Sequence, residues 1–309
     1  MIIGSKLPPI HGDNTYFNLG RSAFAFLISE IIKPKKVFLP SFTCWSLVST
    51  IQNRFPEIEL NFYPVDRTLQ CYYPEKVKEK EMLVFIHFFG KENKTTLPDS
   101  KGIILEDISH ALTSRINYRG DYVFGSLRKS FKIGDGGIIR DYFNPVYESS
   151  QKLDTWLRYE AQDWRDMREA ENMIDRQWEI TDISSKSLEI FLTSNLDTIR
   201  LSRYRNDKFL SDNISVGKPL LIFRKNEAPL VHNRIFDTTK ERDSLRKHLA
   251  SKGIFTSIHW PTHKLVRMSK INIDDVLWLE SHILSFPVSQ DFNLNDMEYI
   301  AENVHNWGK

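Results

Sequence analysis

Residues 121–137 read DYVFGSLRKSFKIGDGG and place a lysine in unusual company. A short apolar run, Tyr122 to Phe124, leads through Gly125 and Ser126 into a basic cluster, then into Gly134-Asp135-Gly136-Gly137. Lysine is a nucleophile only as the neutral amine, a state favoured by burial and by neighbouring cations. Arg128 and Lys132 are such neighbours for Lys129, and the apolar run and glycine turn offer burial. Lys129 is therefore the candidate reactive amine. Lys132, two residues before the turn, is the fallback, and a surface lysine in a basic loop is the plain alternative.

Two further segments carry groups of use to such an amine. Gly20-Arg21-Ser22-Ala23 stands at a helix start, where backbone N–H groups and a hydroxyl suit a phosphate. The same letters fit an ordinary helix cap. Leu105-Glu106-Asp107-Ile108-Ser109-His110 ends an apolar run on acids. Asp107 there is either a cap or the partner of a protonated ring nitrogen.

The elements that must position these groups follow from pattern. Within 16–32, Asn18 to Ser22 have turn and cap character and Phe24, Leu27, Ile28 and Ile31 follow at helical spacing, until Lys33-Pro34 stops them. Short apolar runs at 37–39, 58–65, 82–88, 102–106, 122–124 and 138–139 read as strands, with a helix over 43–53 between the first two. Strand and helix in alternation predict an α/β fold with a mainly parallel, helix-flanked sheet. Ligands of open α/β sheets gather at the carboxyl ends of strands, where His87, Asp107 and Ser126 all fall.

A large domain is expected over 1–215, including long helices over 147–177 and 185–211. The first is charged and amphipathic, with Trp156, Leu157, Trp164, Met167 and Met173 on one stripe. On the second, Arg203, Arg205 and Lys208 read as a solvated face. A small α+β domain is expected over 216–309, with strands at 220–223 and 254–258 and helices at 239–251, 274–284 and 295–306. Its Ile258-His259-Trp260-Pro261 ends a strand. Trp260 there is either a platform for a sugar or base, with His259 bonding a hydroxyl, or an ordinary packed indole beside a partnered histidine.

Composition narrows the rest. The chain has 309 residues, 41% hydrophobic and 27% charged, and a formal charge of +2 with basic and acidic residues well mixed. No basic stripe calls for nucleic acid. Cys44 and Cys71 have neither metal-ligand nor disulfide-framework spacing. No run of roughly 18 apolar residues predicts a membrane span. A cytoplasmic protein is the expectation.

A phosphate turn, a strand-end Asp and a Lys about twenty residues later, in that order, is the layout that pyridoxal phosphate (PLP) needs. On these residues the sequence resembles the DegT/DnrJ-type PLP-dependent sugar aminotransferases, most strongly over 16–140. The family's motifs are matched by GRSA at 20–23, PSFT at 40–43, His87-Phe88-Phe89-Gly90, Glu106-Asp107-Ile108-Ser109-His110, and Lys129 five residues before Gly134-Asp135-Gly136-Gly137. The sequence looks closest to a short "SLRK…DGG" variant, since Ser126 precedes the lysine by three residues rather than the commoner five. Cys44 occupies the place of the family's ring-stacking aromatic, and Trp45 follows it. The family's Gly-Tyr-Asn contact from a neighbouring subunit is not recognisable in 150–185.

The resemblance implies an aspartate-aminotransferase-like fold and PLP as cofactor. Lys129 would carry the cofactor and move the proton, Asp107 would face the pyridine nitrogen, and His110 the 3′-oxygen. Gly20, Arg21, Ser22, Ala23, Ser126 and Arg128 would hold the phosphate, and Trp45 would stack on the ring. His259, Trp260 and His87 would meet the substrate. The implied reaction moves an amino group from an amino acid donor, glutamate, to a ketone on a nucleotide-linked sugar, in a homodimer with its site at the interface. A different PLP reaction on a non-sugar ketone and a non-catalytic cofactor-fold protein are the alternatives.

Overall fold

Glycine and aromatic residues together set how the first helix meets the sheet. In the computed structural model, which describes residues 14–141, 164–176 and 178–308, β1 (Thr15–Phe17) leads into α1 (Gly20–Phe26), prolonged by a π-helical stretch over Leu27–Ile32. A Cβ on Gly20 would lie 2.8 Å from that of Ser126, and one on Gly137 2.2 Å from the Leu19 carbonyl oxygen. Only glycine admits this approach. Further along α1, Phe24 stacks on Phe124 with ring centroids 5.3 Å apart. Both rings are buried, and each such burial contributes about 1.5–3 kcal/mol.

The main sheet adds β2 (Lys36–Pro40), β3 (Glu59–Tyr63), β4 (Glu81–Ile86), β5 (Ile103–Asp107), β6 (Tyr122–Ser126) and β7 (Gly137–Ile139). Its order is β1-β7-β6-β5-β4-β2-β3. The four contacts among β2 to β6 are parallel, while β7 runs antiparallel between β6 and β1. β4 is buried over Met82–Ile86, as its unbroken apolar sequence requires of a central parallel strand. α2 (Trp45–Arg54) connects β2 to β3. The expected parallel strands are thus present, whereas β1 was hidden in text that reads as a helix entry.

After α3 (Trp164–Asp175), the expected helix over 185–211 is two: α4 (Ser185–Thr193) and α5 (Leu196–Asn213). The break falls at Asn195, whose side chain caps α5 by accepting the Thr198 N–H. The part of the expected 147–177 helix that precedes Trp164 lies outside the described residues.

The C-terminal part corrects several expectations. Its sheet is β8 (Lys218–Pro219), β9 (Val231–Ile235) and β10 (Ile283–Pro287), all antiparallel. The runs at 220–223 and 254–258 form no strand; the latter contributes only a bridge from Ser257 to Ser285. β9 reads VHNRI and was missed because its buried residues are polar: His232 bonds Asp207 at 2.8 Å, and Arg234 donates to the Val216 and Gly217 carbonyls. This part also holds α6 (Thr239–Ser251), α7 (Asp274–His282) and α8 (Leu294–His305), with a single helical turn over Lys264–Arg267. A second core, including Leu245, Phe286 and Met297, reaches back to Leu210 and Ile214 at the end of α5.

Candidate functional site

The carboxyl ends of β5 and β6 and the starts of α1 and α2 converge on one cavity of about 210 Å³, lined among others by Gly20, Trp45, Asp107, Ser126 and Lys129. A larger cavity of about 600 Å³ shares Cys44, Ser126, Arg128 and Lys129 with it and extends to His259 and Trp260. Lys129 therefore stands between the two. It ends a single 3-10 turn, Leu127–Lys129, that follows β6 directly.

His110 fixes the surroundings of the amine. Its Nε2 lies 3.0 Å from Lys129 Nζ, and its Nδ1 accepts the Phe89 backbone N–H at 3.2 Å. Since Nδ1 accepts, the neutral ring carries its proton on Nε2, facing the lysine. Burial first, and then Lys129 and His259, hold His110 well below the usual histidine range, so the neutral ring is the stable one. Phe89 reaches it only by adopting a left-handed backbone, with φ at 55°. This gives the His87-Phe88-Phe89-Gly90 segment a physical purpose: it turns one N–H onto the histidine.

Asp107 is 6% exposed. Its Oδ1 accepts the Ser109 N–H at 2.8 Å. Burial pushes its carboxyl up, while Lys129, acting only through space, and Ser109 pull it down. A buried carboxylate bordering a cavity without a bonded cation is costly unless a positive group arrives. A protonated pyridine nitrogen is such a group.

At the other end of the small cavity α1 begins without a side-chain cap and without an acidic residue in its first turn. Its dipole is thus unopposed by a side chain, although the Ser22 and Ala23 N–H groups already meet the Leu19 carbonyl, and Ser126 packs against Gly20 there. These residues fit a phosphate. Taken with Asp107 and Lys129, they fit PLP.

Several expected residues stand elsewhere. Ser22 and Ala23 are buried and do not line the cavity; the Ser22 hydroxyl donates to the Glu179 carbonyl instead. The Arg21 guanidinium lines it but turns to Asp175 at 2.6 Å, lying 5.6 Å from the Trp45 ring and 5.5 Å from that of Trp178. Arg128 meets Glu171 at 3.0 Å. One face of α3 thus delivers two carboxylates, four residues apart, to the two arginines. Trp45 is 39% exposed and borders the cavity beside Arg21.

His87 is completely buried and lines neither cavity. Its Nδ1 accepts the Asn93 N–H, and its Nε2 meets Glu106 Oε1 at 2.6 Å. Glu106 also accepts the N–H groups of Arg119 and Gly120. A substrate cannot reach this histidine, whose bonds hold β4 and β5 in place. Trp260 packs over His110, with ring centroids 5.1 Å apart, and near Phe89 and Phe42, leaving one edge on the larger cavity. His259 bonds Ser285 Oγ through Nδ1 at 2.9 Å, and burial followed by Lys129 lowers it to about 4.

Sequence reasoning missed Glu171, Asp175, Arg203 and Gln290. Arg203 is 4% exposed rather than solvated, while Arg205 and Lys208 are exposed as expected. The i, i+4 carboxylates on α3 were a legible signal; nothing local marks Arg203 or Gln290.

No family model matches the sequence, and no curated protein matches it. Solved structures do match. A DegT DnrJ EryC1 StrS aminotransferase from Brucella abortus shares 16% identity with a TM-score of 0.60, over 96% of this chain and 86% of its own. Helicobacter pylori PseC, an aminotransferase involved in the biosynthesis of pseudoaminic acid, shares 13% at 0.62, over 94% and 85%. NtdA from Bacillus subtilis, solved with bound cofactor PMP, shares 12% at 0.63, over 94% and 72%. At these identities the likeness is one of fold: this chain has the fold of the DegT/DnrJ-type aminotransferases.

Proposed function

We propose that the protein is a PLP-dependent aminotransferase that moves an amino group from an amino acid, glutamate, to a ketone on a nucleotide-linked sugar. The observation that carries this is the grouping of Lys129, Asp107 and the uncapped start of α1 around one cavity, with His110 meeting the Lys129 amine from the larger cavity beside it. The fold likeness and the aminotransferase names of its neighbours support the reaction class, and the name of one further neighbour, Spr1654 from Streptococcus pneumoniae, contains the words sugar aminotransferase. Bound PLP would supply an electron sink for the carbanion formed at the substrate carbon. Asp107 would keep the ring nitrogen protonated, Lys129 would move the proton, and His110 would present Nε2–H beside it. Gly20, Arg21, Ser126 and Arg128 would receive the phosphate, and Trp45 the ring. His259 and Trp260 would border the substrate in the larger cavity.

The same reading takes residues 1–215 as the cofactor-binding domain and 216–309 as a smaller one; the second core supports it in part, since Leu210 and Ile214 join that core while Phe223, Val276 and Ile283 pack in the first. It takes the protein as a cytoplasmic homodimer with the site at the interface. Among the described residues no helix is long and apolar enough to cross a membrane.

The test is spectroscopic. Protein incubated with PLP should gain a visible band that glutamate bleaches, and Lys129→Ala should lose both the band and turnover; turnover near wild type in that variant refutes the assignment. One observation favours a second reading, a non-catalytic member of the fold: both arginines at the phosphate end already hold carboxylates. A protein that stays colourless with PLP would select it.

A further inference from the structure

The turn that carries Lys129 does not complete itself. A single 3-10 turn leaves its last carbonyls without partners of their own. The Leu127 carbonyl accepts the N–H groups of Ser130 and Phe131, both at 3.0 Å. The Lys129 and Ser130 carbonyls are met by side chains distant in sequence. Arg203, on α5, donates from Nη2 to the Lys129 carbonyl at 3.3 Å. Gln290, in the loop after β10, donates from Nε2 to the Ser130 carbonyl at 3.0 Å. These two side chains are themselves joined, Arg203 Nε donating to Gln290 Oε1 at 2.7 Å.

The guanidinium is fully committed on its other side, where Nη1 donates to the Pro229 and Leu230 carbonyls at 3.3 and 3.2 Å. The loop that holds Gln290 is fastened to the same helix, since Asn206 Nδ2 donates to the Ser289 and Phe292 carbonyls. Arg203 is 4% exposed, and Asp291 acts on it only through space. Burying a guanidinium among neutral acceptors is a poor way to gain stability, because desolvation offsets most of what its bonds return. Its use is geometric. A planar fork meets several carbonyls in one fixed arrangement, which a flexible ammonium cannot do.

We infer that Arg203 and Gln290 are positioning residues that hold the Lys129–Ser130 backbone and so set where the amine emerges between the two cavities. The inference rests on the reading of Lys129 as the cofactor lysine. It also makes the placement of that lysine depend on the loop after β10, so the C-terminal part of the chain shapes the amine as well as the substrate cavity.

The test separates the covalent bond to Lys129 from cofactor binding as such. PLP can bond to the amine, whereas pyridoxine 5′-phosphate, an alcohol, cannot. Gln290→Leu should weaken PLP by about tenfold, the scale of losing hydrogen bonds to a buried carbonyl, and leave pyridoxine 5′-phosphate unchanged. Arg203→Lys, which keeps the charge and loses the fork, should behave alike. A second readout needs no cofactor: acetylation of Lys129 in the unliganded protein, followed by peptide mass spectrometry against exposed Lys218. The Lys129 to Lys218 ratio should change by more than about twofold in both variants, since the burial and neighbours that set the reactivity of an amine change when its backbone shifts.

Equal losses for both ligands, or an acetylation ratio within twofold of wild type, would overturn the inference. If the wild-type protein binds neither ligand, the PLP reading fails, and the acetylation ratio still decides whether the pair positions Lys129. A thermal melt of each variant identifies general unfolding, which would lower both affinities together.

Discussion

The two ends of the small cavity are built differently. At the lysine end, His110 and Asp107 are buried and take their orientation from backbone N–H groups, those of Phe89 and Ser109. At the phosphate end, Arg21 and Arg128 are oriented by carboxylates on α3, Asp175 and Glu171, which are half-buried. Backbone donors have no other arrangement open to them, so the lysine end is preformed. Half-buried ion pairs are worth little and exchange readily with another anion. The contrast assigns rigidity to the chemistry and exchange to the phosphate.

The largest effect that would break this comparison is at Asp107. Asp107→Asn removes the charge proposed to face the ring nitrogen and should lower turnover by on the order of 10²-fold with PLP still bound, read as kcat at saturating cofactor. An unchanged kcat would show that the buried carboxylate serves the fold alone.

Next in size is a pH effect on the wall of the larger cavity. His259 is held neutral, lowered to about 4 from an ordinary value of 6.5. A base lowered on folding adds nothing to pH dependence above its unfolded value, and stability is lost as pH falls from about 6.5 through 4. The loss approaches roughly 3 kcal/mol by pH 4. His259→Asn should therefore melt closer to wild type, or above it, at pH 4 than at pH 7; a pH-independent difference would place His259 in solvent.

The smallest effect sharpens the phosphate end. In Glu171→Gln and Asp175→Asn the arginines lose these anionic partners, so pyridoxine 5′-phosphate should bind each variant about two- to fivefold tighter than wild type, the range of an ion pair whose carboxylate still meets solvent. Calorimetry reads this directly. Weaker binding would mean that the carboxylates orient the arginines for the phosphate rather than compete with it.

Much of the frame was legible because its signals are local. The strand ending at Asp107 and the one ending at Ser126 are apolar runs bounded by turns, and a strand buried on both faces can hardly be written otherwise. The order of the phosphate turn, Asp107 and Lys129 came from the same text, the family resemblance added His110, and the structure brings Gly20, Asp107 and Lys129 to one cavity with His110 against the lysine. His87 misled because a histidine at a strand end looks the same whether it faces a cavity or, as here, a buried glutamate. Ser22 misled because its position in the helix start says nothing of which way its hydroxyl turns.

What the amino-acid sequence determined by itself is the α/β frame, its parallel strands and the candidate lysine, since periodicity and turn residues act over a few neighbours. Tertiary structure alone decided that Arg203 is buried beneath Lys129, that VHNRI is a strand, and that α3 sets two carboxylates on two arginines. The reason is physical. A polar side chain is buried only when distant parts of the chain supply its partners, and those partners come from tens to more than a hundred and fifty residues away.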